Sequence, residues 1–360
     1  MKDTSPKLDE QMMKTVAMLA PGTMLYEGLE NILRARTGAL IVVGDSQQVL
    51  DLVDGGFHID CEMRPTSLYE LAKMDGAIVL SSEAKRILFA NAQLNPDPLI
   101  PTFETGTRHR TAERVARQTG ELVISISQRR NVITLYKSNF KYVLRDVSVI
   151  LAKANQALQT LEKYKSVMEQ VLTNISALEF EDLVTLTDVT QVLQRAQMVE
   201  RIASEIERYV SELGAEGRLM NMQLEELMVG ISDQGLLVVN DYMSLSKEET
   251  AEEVWETLSQ WSAEDLLDLS LIARALGYSG GTASLDNPVT PRGYRILTKI
   301  PRLPMPVIEN LIQTFEKFPA VLSANTNELD DVEGIGEVRA KAIQDGLRRL
   351  REQVLLDRHI

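Results

Sequence analysis

Three basic side chains stand together in the stretch GTRHRT, residues 106–111, of a chain that is otherwise acidic. Arg108, His109 and Arg110 would repel one another on a bare surface, so their grouping indicates that an anion binds between them. Thr107 is a favourable cap for the helix predicted through Thr111, and a helix start offers free amides and a positive dipole end. This combination suits a phosphate chain.

A carboxylate and a second basic cluster accompany this stretch. Asp75 precedes Gly76 at the start of a predicted strand, where a small residue lets a ligand approach the backbone closely. Ser127, Arg129 and Arg130 follow the end of a later predicted strand and could face the first basic cluster. Nucleotidyl transfer needs such a set, with Asp75 holding a metal or hydroxyl and the cations over the α-phosphate and the leaving pyrophosphate.

The same residues also have ordinary explanations. An Asp-Gly pair is common in turns, and an Arg-His-Arg run is common on solvated surfaces, so spacing alone leaves both interpretations open. The usual nucleotide signatures G-x-x-x-x-G-K-[ST] and G-x-G-x-x-G are absent, and the first 150 residues contain no D-x-D pair. These absences argue against a P-loop enzyme, a dinucleotide-binding domain and a two-carboxylate polymerase.

Alternating elements in the first 145 residues must position these groups. Short β-branched runs predict strands at residues 37–44, 75–81, 121–127 and 131–136, with helical segments between them. The short connection at residues 128–130 predicts a hairpin, and therefore a mixed sheet. The sequence thus predicts an N-terminal mixed-sheet α/β domain, residues 1–145, that binds nucleotide.

Proline divides the rest of the chain. Six prolines lie at or before Pro101, six lie between Pro288 and Pro319, and none lies between these groups. Apolar residues at helical spacing run from about Leu151, and a second such stretch ends at Gly214, a residue type typical of helix C-termini. We predict an all-helical spine over residues 146–285, structural in role because such apolar stripes usually form cores.

The segment LDDVEGIGEVRAKAI, residues 329–343, has the pattern of a helix-hairpin-helix motif. Its two glycines free the hairpin backbone, and Ala340 permits close helix packing. Amides at the start of the second helix would then face a DNA phosphate. The residues predicted to bind DNA are Gly334, Ile335, Gly336, Arg339 and Lys341.

A degenerate copy of this motif, LTKIPRLPMPVIENL, begins 32 residues earlier, at Leu297. Arg302 and Pro304 stand where the second copy has glycines, so we expect the first copy to be mainly structural or to bind through Arg302. Residues 286–360 therefore predict a tandem helix-hairpin-helix domain. Because such hairpins grip backbone phosphate, we expect them to recognise DNA shape, as in branched or junction DNA.

Composition limits location and partners. Cys61 is the only cysteine, the N-terminal MKDTSPKLDEQMMKTVAMLAPGT lacks the apolar core of a signal peptide, and no segment is a long uncharged apolar run. We expect a cytoplasmic protein that associates with the nucleoid and not with membrane. The net charge of −14 opposes DNA binding by the whole chain, but the segment from Thr290 onward carries 11 Lys and Arg against 10 Asp and Glu.

The blocks TGALIVVG, MDGAIVLS, ANAQLNPD and TGTRHRTAERVARQTG, in this order, closely resemble the diadenylate cyclase domain family. The order of parts behind them, a helical spine and a helix-hairpin-helix tail, resembles that of the bacterial DNA integrity scanning proteins. The resemblance runs through essentially the whole chain. It implies a multidomain α/β plus all-α enzyme that condenses two ATP molecules into cyclic di-AMP and two pyrophosphates.

The resemblance also implies roles for individual residues. Asp75 looks like the aspartate that binds Mg²⁺ or Mn²⁺ and positions the ribose 3′-hydroxyl, while Gly76 lies against the nucleotide and Leu94 offers its backbone to adenine. Some cyclases of the family have acidic residues where this chain has Gln128 and Arg129, which leaves Asp75 as the main metal ligand. The residues that resemble the phosphate-binding segment are Thr107, Arg108, His109, Arg110 and Thr111, with Ser127 and Arg130 beside them.

The catalytic candidates are Asp75, Arg108, His109 and Arg110, with His109 a phosphate or metal contact rather than a general base. A packing histidine is the alternative for His109.

The reaction implies an assembly. Each ATP must present its 3′-hydroxyl in line with the α-phosphorus of the other, so two active sites must face each other across a subunit interface. The sequence alone supports at least two facing copies, and the resemblance implies an octamer and inhibition by junction DNA. The alternative is a DNA-structure sensor whose N-terminal domain only binds nucleotide and assembles the oligomer.

Overall fold

The computed structural model describes residues 15–357. They form two compact units, one from the residues up to Asn155 with Glu207–Asn221, the other from Gln156–Ile206 with the residues from Met222 onward. Most of the N-terminal stretch that argued against a signal peptide lies outside the described residues. None of the helices in residues 15–357 has both the length and the apolar composition that crossing a membrane requires.

A mixed eight-stranded sheet forms the centre of the first unit. Strands β1 and β4 are parallel, and the other paired strands are antiparallel. The strand order is β2-β5-β4-β1-β6-β7-β8, with β3 beside β5. The predicted mixed-sheet α/β fold of this part is confirmed. The strands are β1 Ala39–Val43, β2 Val53–Asp54, β3 Phe57–Glu62, β4 Ala77–Leu80, β5 Arg86–Leu94, β6 Leu122–Ser127, β7 Val132–Lys137 and β8 Phe140–Val143.

Helices cover both faces of this sheet. Apolar residues of α1 and α3 join the buried cluster on one face, while those of α2 and α4 join the cluster on the other. Every residue of β1 is buried because both of its faces are covered, which explains its uninterrupted apolar run. The helices are α1 Met24–Arg34, α2 Gln47–Leu50, α3 Pro65–Leu71 and α4 Thr107–Thr119.

The four strands that the sequence predicts are β1, β4, β6 and β7. The predicted hairpin joins β6 to β7, with Ser127 opposite Val132, and Asn131 completes the turn in a left-handed conformation. Four further strands were missed. Among them, β5 has two register shifts against β4 and a left-handed residue, Asn91, so its side chains do not alternate regularly.

The middle of the chain is helical, beginning with two long helices. α5 spans Val147–Glu181 and α6 spans Leu186–Leu213, without an internal break in either. Gly214 follows α6 with φ +52°, as its position in the sequence predicted. The helices that follow are α7 Arg218–Met228, α8 Gln234–Tyr242, α9 Ala251–Gln260 and α10 Leu269–Ala275, with 3-10 turns at Gly214–Gly217, Asp265–Leu267 and Thr282–Ser284. The three domain boundaries drawn from the sequence stay predictions.

The C-terminal part of the second unit has two short helix-turn-helix segments around one apolar cluster. Its helices are α11 Tyr294–Leu297, α12 Met305–Phe315, α13 Phe318–Ser323, α14 Thr326–Asp330 and α15 Glu337–Asp357. Residues spaced 32 positions apart are buried together in that cluster, in the pairs Leu297 and Leu329, Ile300 and Val332, Leu303 and Ile335, Ile308 and Ala340, and Leu311 and Ile343. The turns also correspond, because Arg302 has φ +64° where Gly334 has φ +84°.

We expect substitutions at these two turn positions to change stability in opposite directions. A side chain in the left-handed region costs about 1–2 kcal/mol, so Arg302→Gly should raise the free energy of unfolding by up to about 1 kcal/mol after the entropic cost of glycine. Gly334→Arg should lower it by about 1–2 kcal/mol for the same reason. Urea denaturation measures both, with Gly281→Ala as a control because its added Cβ would meet open space. Destabilisation by Arg302→Gly would contradict the argument.

A charged side chain is completely buried at the start of α11. Arg295 and Glu179 of α5 are both 0% exposed and form an ion pair. The Arg295 Nη2 also lies 3.0 Å from Ser176 Oγ, and the Tyr242 hydroxyl donates to Glu179 Oε1 at 2.8 Å. This network joins α5, α8 and α11 within the second unit.

Asp241 of α8 completes the network from the other side. Its carboxylate accepts the amide N–H groups of residues 293, 294 and 295 at 2.7, 2.6 and 3.0 Å, which satisfies the start of α11. Burial and the nearby Glu179 raise the pKa of Asp241 to about 7. The start of α11, which precedes the two helix-turn-helix segments, is therefore fixed by a buried ion pair and buried hydrogen bonds as well as by apolar packing.

Candidate functional site

An open cavity of about 640 Å³ lies at one edge of the sheet in the first unit. It is bounded by the starts of β1 and β4, the end of β5 and the first turn of α4. The lining residues are Leu40, Asp75, Gly76, Ala77, Asn91, Ala92, Gln93, Leu94, Thr107, Arg108 and Thr111. The cavity thus combines a carboxylate, a guanidinium and a helix start. Six of the residues singled out from the sequence meet here: Asp75, Gly76, Leu94, Thr107, Arg108 and Thr111.

Asp75 and Gly76 form the bend that leads into β4. The Asp75 side chain is exposed, and within residues 15–357 no side chain pairs with it. The expectation that Gly76 lies against a nucleotide stays a prediction, and the structure adds a second reason for a glycine at this position. A Cβ at Gly76 would lie 2.5 Å from the Asn91 Cα, and the Gly76 N–H donates to Asn91 Oδ1 at 3.1 Å. The neighbouring strand β5 therefore requires this glycine.

The start of α4 differs from its sequence prediction by one residue. Thr107 is not the cap, because Gly106 occupies that position with an extended backbone and its carbonyl accepts the Arg110 N–H at 2.9 Å. No side chain caps this helix. The amides of Thr107, Arg108 and His109 precede the first intrahelical bond, and the first two of these residues line the cavity.

Arg108 owes its position to a glycine that sequence reasoning missed. A Cβ at Gly38, just before β1, would lie 2.8 Å from the Arg108 Cζ and closer still to one of its nitrogens. The guanidinium therefore lies against a bare backbone. A glycine before a strand has no local signal for this contact, since the two residues are 70 positions apart.

Gly38→Ala should displace the Arg108 guanidinium while leaving the fold intact, because the atoms nearest to the added Cβ are the end of a flexible side chain. The Ile126 carbonyl oxygen, 3.2 Å away, requires only a small adjustment. A charge-assisted hydrogen bond is worth about 1.5–3 kcal/mol, so we expect roughly 10- to 100-fold weaker turnover of a phosphate-bearing substrate. Steady-state kinetics and thermal unfolding on the same samples separate an effect on turnover from an effect on stability. Unchanged kinetics would show that Arg108 does not contact the substrate.

His109 is not among the residues that line the cavity. Its Nδ1 lies 3.0 Å from the hydroxyl of Tyr136, which in turn donates to Glu104 Oε1 at 3.0 Å. The Nε2 atom is buried and has no partner among the described residues. Burial lowers the pKa of His109, and the charge of Arg130 lowers it further against the opposing effect of Glu104.

The remaining predicted residues do not line the cavity. Arg110 is exposed on α4, and Arg130 is exposed in the turn after β6. The Ser127 Oγ accepts the Arg130 N–H at 3.3 Å and so supports that turn. Because Ala39 pairs with Ile126, the turn lies at the same edge of the sheet as the cavity. Contacts of these three residues with nucleotide stay predictions.

A divalent metal would find one carboxylate in the lining of this cavity. Within the described part of the chain, no group of three or more His, Cys, Asp and Glu side chains is placed to hold a metal ion. Mg²⁺ commonly binds through one or two carboxylates together with substrate phosphates, and Asp75 fits that requirement.

The residues predicted to bind DNA surround one turn of the second unit. Gly334 is left-handed, Ile335 packs into the core, and the Gly336 carbonyl accepts the first amides of α15. The Arg339 guanidinium bonds back to the Gly334 carbonyl, and Lys341 is exposed. A groove of about 470 Å³ separates this turn from the corresponding turn at residues 300–303.

Comparison with known families identifies the class of protein first. Residues 26–140 match the family described as "DisA bacterial checkpoint controller nucleotide-binding", and residues 144–285 match "DisA bacterial checkpoint controller linker region". The cavity and all of its lining residues lie within the first match.

Similarity to full-length proteins then identifies the family. The DNA integrity scanning proteins DisA of Carboxydothermus hydrogenoformans and Symbiobacterium thermophilum are each 61% identical to this chain, covering 96% of it and 98% of each relative. That of Clostridium botulinum (strain Loch Maree) is 57% identical, over 97% of this chain and 98% of the relative. The chain belongs to the DNA integrity scanning protein family, which confirms the resemblance seen in its motifs.

Proposed function

We propose that the protein is a diadenylate cyclase that condenses two ATP molecules into cyclic di-AMP and two pyrophosphates. The observation that carries this proposal is the cavity in which Asp75, Arg108 and the uncapped start of α4 lie together. A carboxylate beside a phosphate-binding helix start and a guanidinium is the set that nucleotidyl transfer requires.

Each catalytic step forms one bond and breaks one. The 3′-oxygen of one ATP bonds to the α-phosphorus of the other, while the bond from that phosphorus to the pyrophosphate oxygen breaks. The hydroxyl proton is released to water. Asp75 would hold Mg²⁺ or Mn²⁺ and orient the hydroxyl, and a metal bound there would supply positive charge at the phosphates. Arg108 and the free amides of α4 stabilise the charge on the departing pyrophosphate.

The reaction requires a second copy of the chain. One cavity contains one Asp75 and one Arg108, whereas two in-line displacements need two such sets facing each other. We propose a homo-oligomer with facing active sites, extended to an octamer, in which an isolated monomer is inactive. Cytoplasmic location and association with the nucleoid belong to the same proposal.

We propose that the two turns at residues 300–303 and 332–336 form a tandem helix-hairpin-helix that binds branched or damaged DNA. The correspondence of their buried residues and left-handed positions supports this proposal. The second turn begins α15 with a glycine, whereas the first begins α12 with Pro304 and Pro306, which lack amide hydrogens. Phosphate contact should therefore be concentrated in the second turn, and the resemblance favours inhibition of cyclisation by bound junction DNA.

Lys341→Ala should weaken junction binding about three- to ten-fold at moderate salt, because one phosphate contact is lost. Arg348→Ala is a matched control on the same helix, since Arg348 is exposed and paired with Asp345. Titration of a fluorescent four-way junction at several salt concentrations checks both variants. Equal affinity and equal salt dependence in Lys341→Ala and the wild type would remove Lys341 from the interface.

Incubating the pure full chain with ATP and Mg²⁺ or Mn²⁺, followed by mass identification of the product, tests the catalytic proposal. Cyclic di-AMP and pyrophosphate are expected, and chelation of the metal should stop their formation. Nucleotide binding without any product would instead favour a DNA-structure sensor whose N-terminal unit only binds nucleotide.

A further inference from the structure

We propose that Tyr136 and Glu104 are positioning residues that fix the His109 imidazole with its proton on Nδ1 and its lone pair on Nε2. The inference deepens the proposed function, because His109 belongs to the basic segment at the start of α4. It assigns His109 a different task from its arginine neighbours.

The proton count along the chain of hydrogen bonds sets the tautomer. Tyr136 has one hydroxyl proton, and its oxygen lies 3.0 Å from both Glu104 Oε1 and His109 Nδ1. Burial would raise the pKa of Glu104, but hydrogen bonds from Lys141 and Tyr136 outweigh it and lower the pKa. An ionised carboxylate only accepts, so Tyr136 donates to Glu104 and must accept from Nδ1.

The two positioning residues are themselves held firmly. Tyr136 is 1% exposed on β7, and burial raises the pKa of its hydroxyl, so it remains protonated. Lys141, its cross-strand neighbour on β8, forms an ion pair with Glu104.

The loop that carries Glu104 is tied to α4 by two arginines. Arg114 donates to the carbonyls of Pro98 and Ile100 at 2.9 and 3.0 Å, and Arg117 donates to that of Pro101 at 2.8 Å. The orientation of His109 thus depends on parts of the chain on both sides of its helix.

The tautomer determines what His109 can bind. Phosphate oxygens accept hydrogen bonds, so a neutral imidazole protonated on Nδ1 cannot serve them through Nε2. Its Nε2 lone pair suits a hydroxyl, a water molecule or a cation. Because this atom is buried without a partner in the described structure, leaving it unsatisfied is costly, and a ligand that donates or coordinates there gains that free energy.

Nitrogen NMR of the histidines tests the proposal on the intact protein. The chain has three histidines, at positions 58, 109 and 359, so a ¹⁵N-histidine-labelled sample studied by solid-state NMR gives few signals, and His109→Gln identifies the one of interest. Near pH 8, the wild type should show a protonated Nδ1 and an unprotonated Nε2. This readout needs no catalytic activity, so it stands whether or not the protein cyclises ATP.

Two variants should shift the equilibrium between the Nδ1–H and Nε2–H tautomers of His109. Tyr136→Phe removes the acceptor for Nδ1–H, and in Glu104→Gln the amide can donate to Tyr136 and free its hydroxyl to donate to Nδ1. Both should populate the Nε2–H tautomer and lower kcat about ten-fold or more with little change in KM. Tyr142→Phe is a matched control on β8, because Tyr142 packs against the apolar cluster on the opposite face of the sheet.

The outcomes separate clearly. A wild-type signal with the proton on Nε2 would overturn the proposal. An unchanged tautomer in Glu104→Gln would also overturn it, even if Tyr136→Phe did not fold. A third outcome combines two results: the variants lose the Nδ1–H tautomer, and the wild type makes no cyclic di-AMP. That outcome would support the positioning role and reject the cyclase assignment.

Discussion

Replacing Asp75 with asparagine is expected to reduce formation of cyclic di-AMP by about 100- to 1000-fold, the scale seen when one preorganised electrostatic group is removed from an active site. Asparagine keeps the size of the side chain but removes the charge that, in the proposed function, would hold the metal and orient the 3′-hydroxyl. Binding of ATP should change much less, because Arg108 and the start of α4 remain in place. The effect should therefore appear in kcat rather than in the affinity for ATP.

The fold should tolerate this substitution. Asp75 is exposed and has no partner among the described side chains, so thermal unfolding of Asp75→Asn should match the wild type. Asp51→Asn is a suitable control, because Asp51 is an exposed aspartate of the same unit, and within residues 15–357 its side chain bonds only Gln47. Rates come from the product by mass, and ATP affinity comes from calorimetry. Near-normal turnover in Asp75→Asn would rule out the role assigned to this carboxylate.

Arg295→Met is expected to cost about 3–5 kcal/mol of the stability of the second unit, as removal of one partner from a buried ion pair does. The substitution leaves Glu179 and Asp241 buried without their cation. Both tryptophans, Trp255 and Trp261, lie in this unit, so their fluorescence during urea denaturation reports its unfolding.

Acid should partly relieve this defect. The folded-state pKa of Asp241 is already raised above its unfolded value, to about 7, and loss of the nearby positive charge raises it further. A carboxyl with a raised folded pKa destabilises the fold above that pKa, and the cost declines as pH falls toward the unfolded value. The difference between variant and wild type should therefore shrink from pH 8 to pH 5.

Two further variants test the explanation. Arg348→Met, which breaks an exposed ion pair with Asp345, should cost no more than about 0.5 kcal/mol. The double variant Arg295→Met with Glu179→Leu should recover part of the lost stability, because a buried pair replaced by apolar side chains is often tolerated. If Arg295→Met unfolded with the same urea midpoint as the wild type, the buried charge would contribute little to stability.

Much of this protein follows from local sequence patterns. Apolar periodicity over α5 and α6, the β-branched runs of β1, β4, β6 and β7, and the short connection before Asn131 each predict an element that is present. The repeated apolar frame also predicted which residues of the two C-terminal hairpins are buried together. These features could be predicted because each helix or strand spaces its apolar residues with its own period along the sequence.

Other features depended on residues far apart in the chain. The strand β5 escaped prediction because a bulge at Asn91 breaks its alternation, and the same bulge explains Gly76. Likewise, the N-cap of α4 is Gly106 and not the predicted Thr107. The backbone of Gly106 has the extended conformation of a cap residue, although threonine is the better capping side chain.

The sequence by itself determined the composition of the site, a carboxylate and a basic segment at a helix start, and the family to which the chain belongs. Only the tertiary structure decided that Arg108 lies over Gly38, that His109 turns toward Tyr136 and Glu104, and that Arg295 is buried with Glu179. Each of these contacts joins segments with no shared periodicity. These contacts form because side chains must pack closely and buried polar groups must find partners. Both requirements involve residues that are close in space but distant in the sequence.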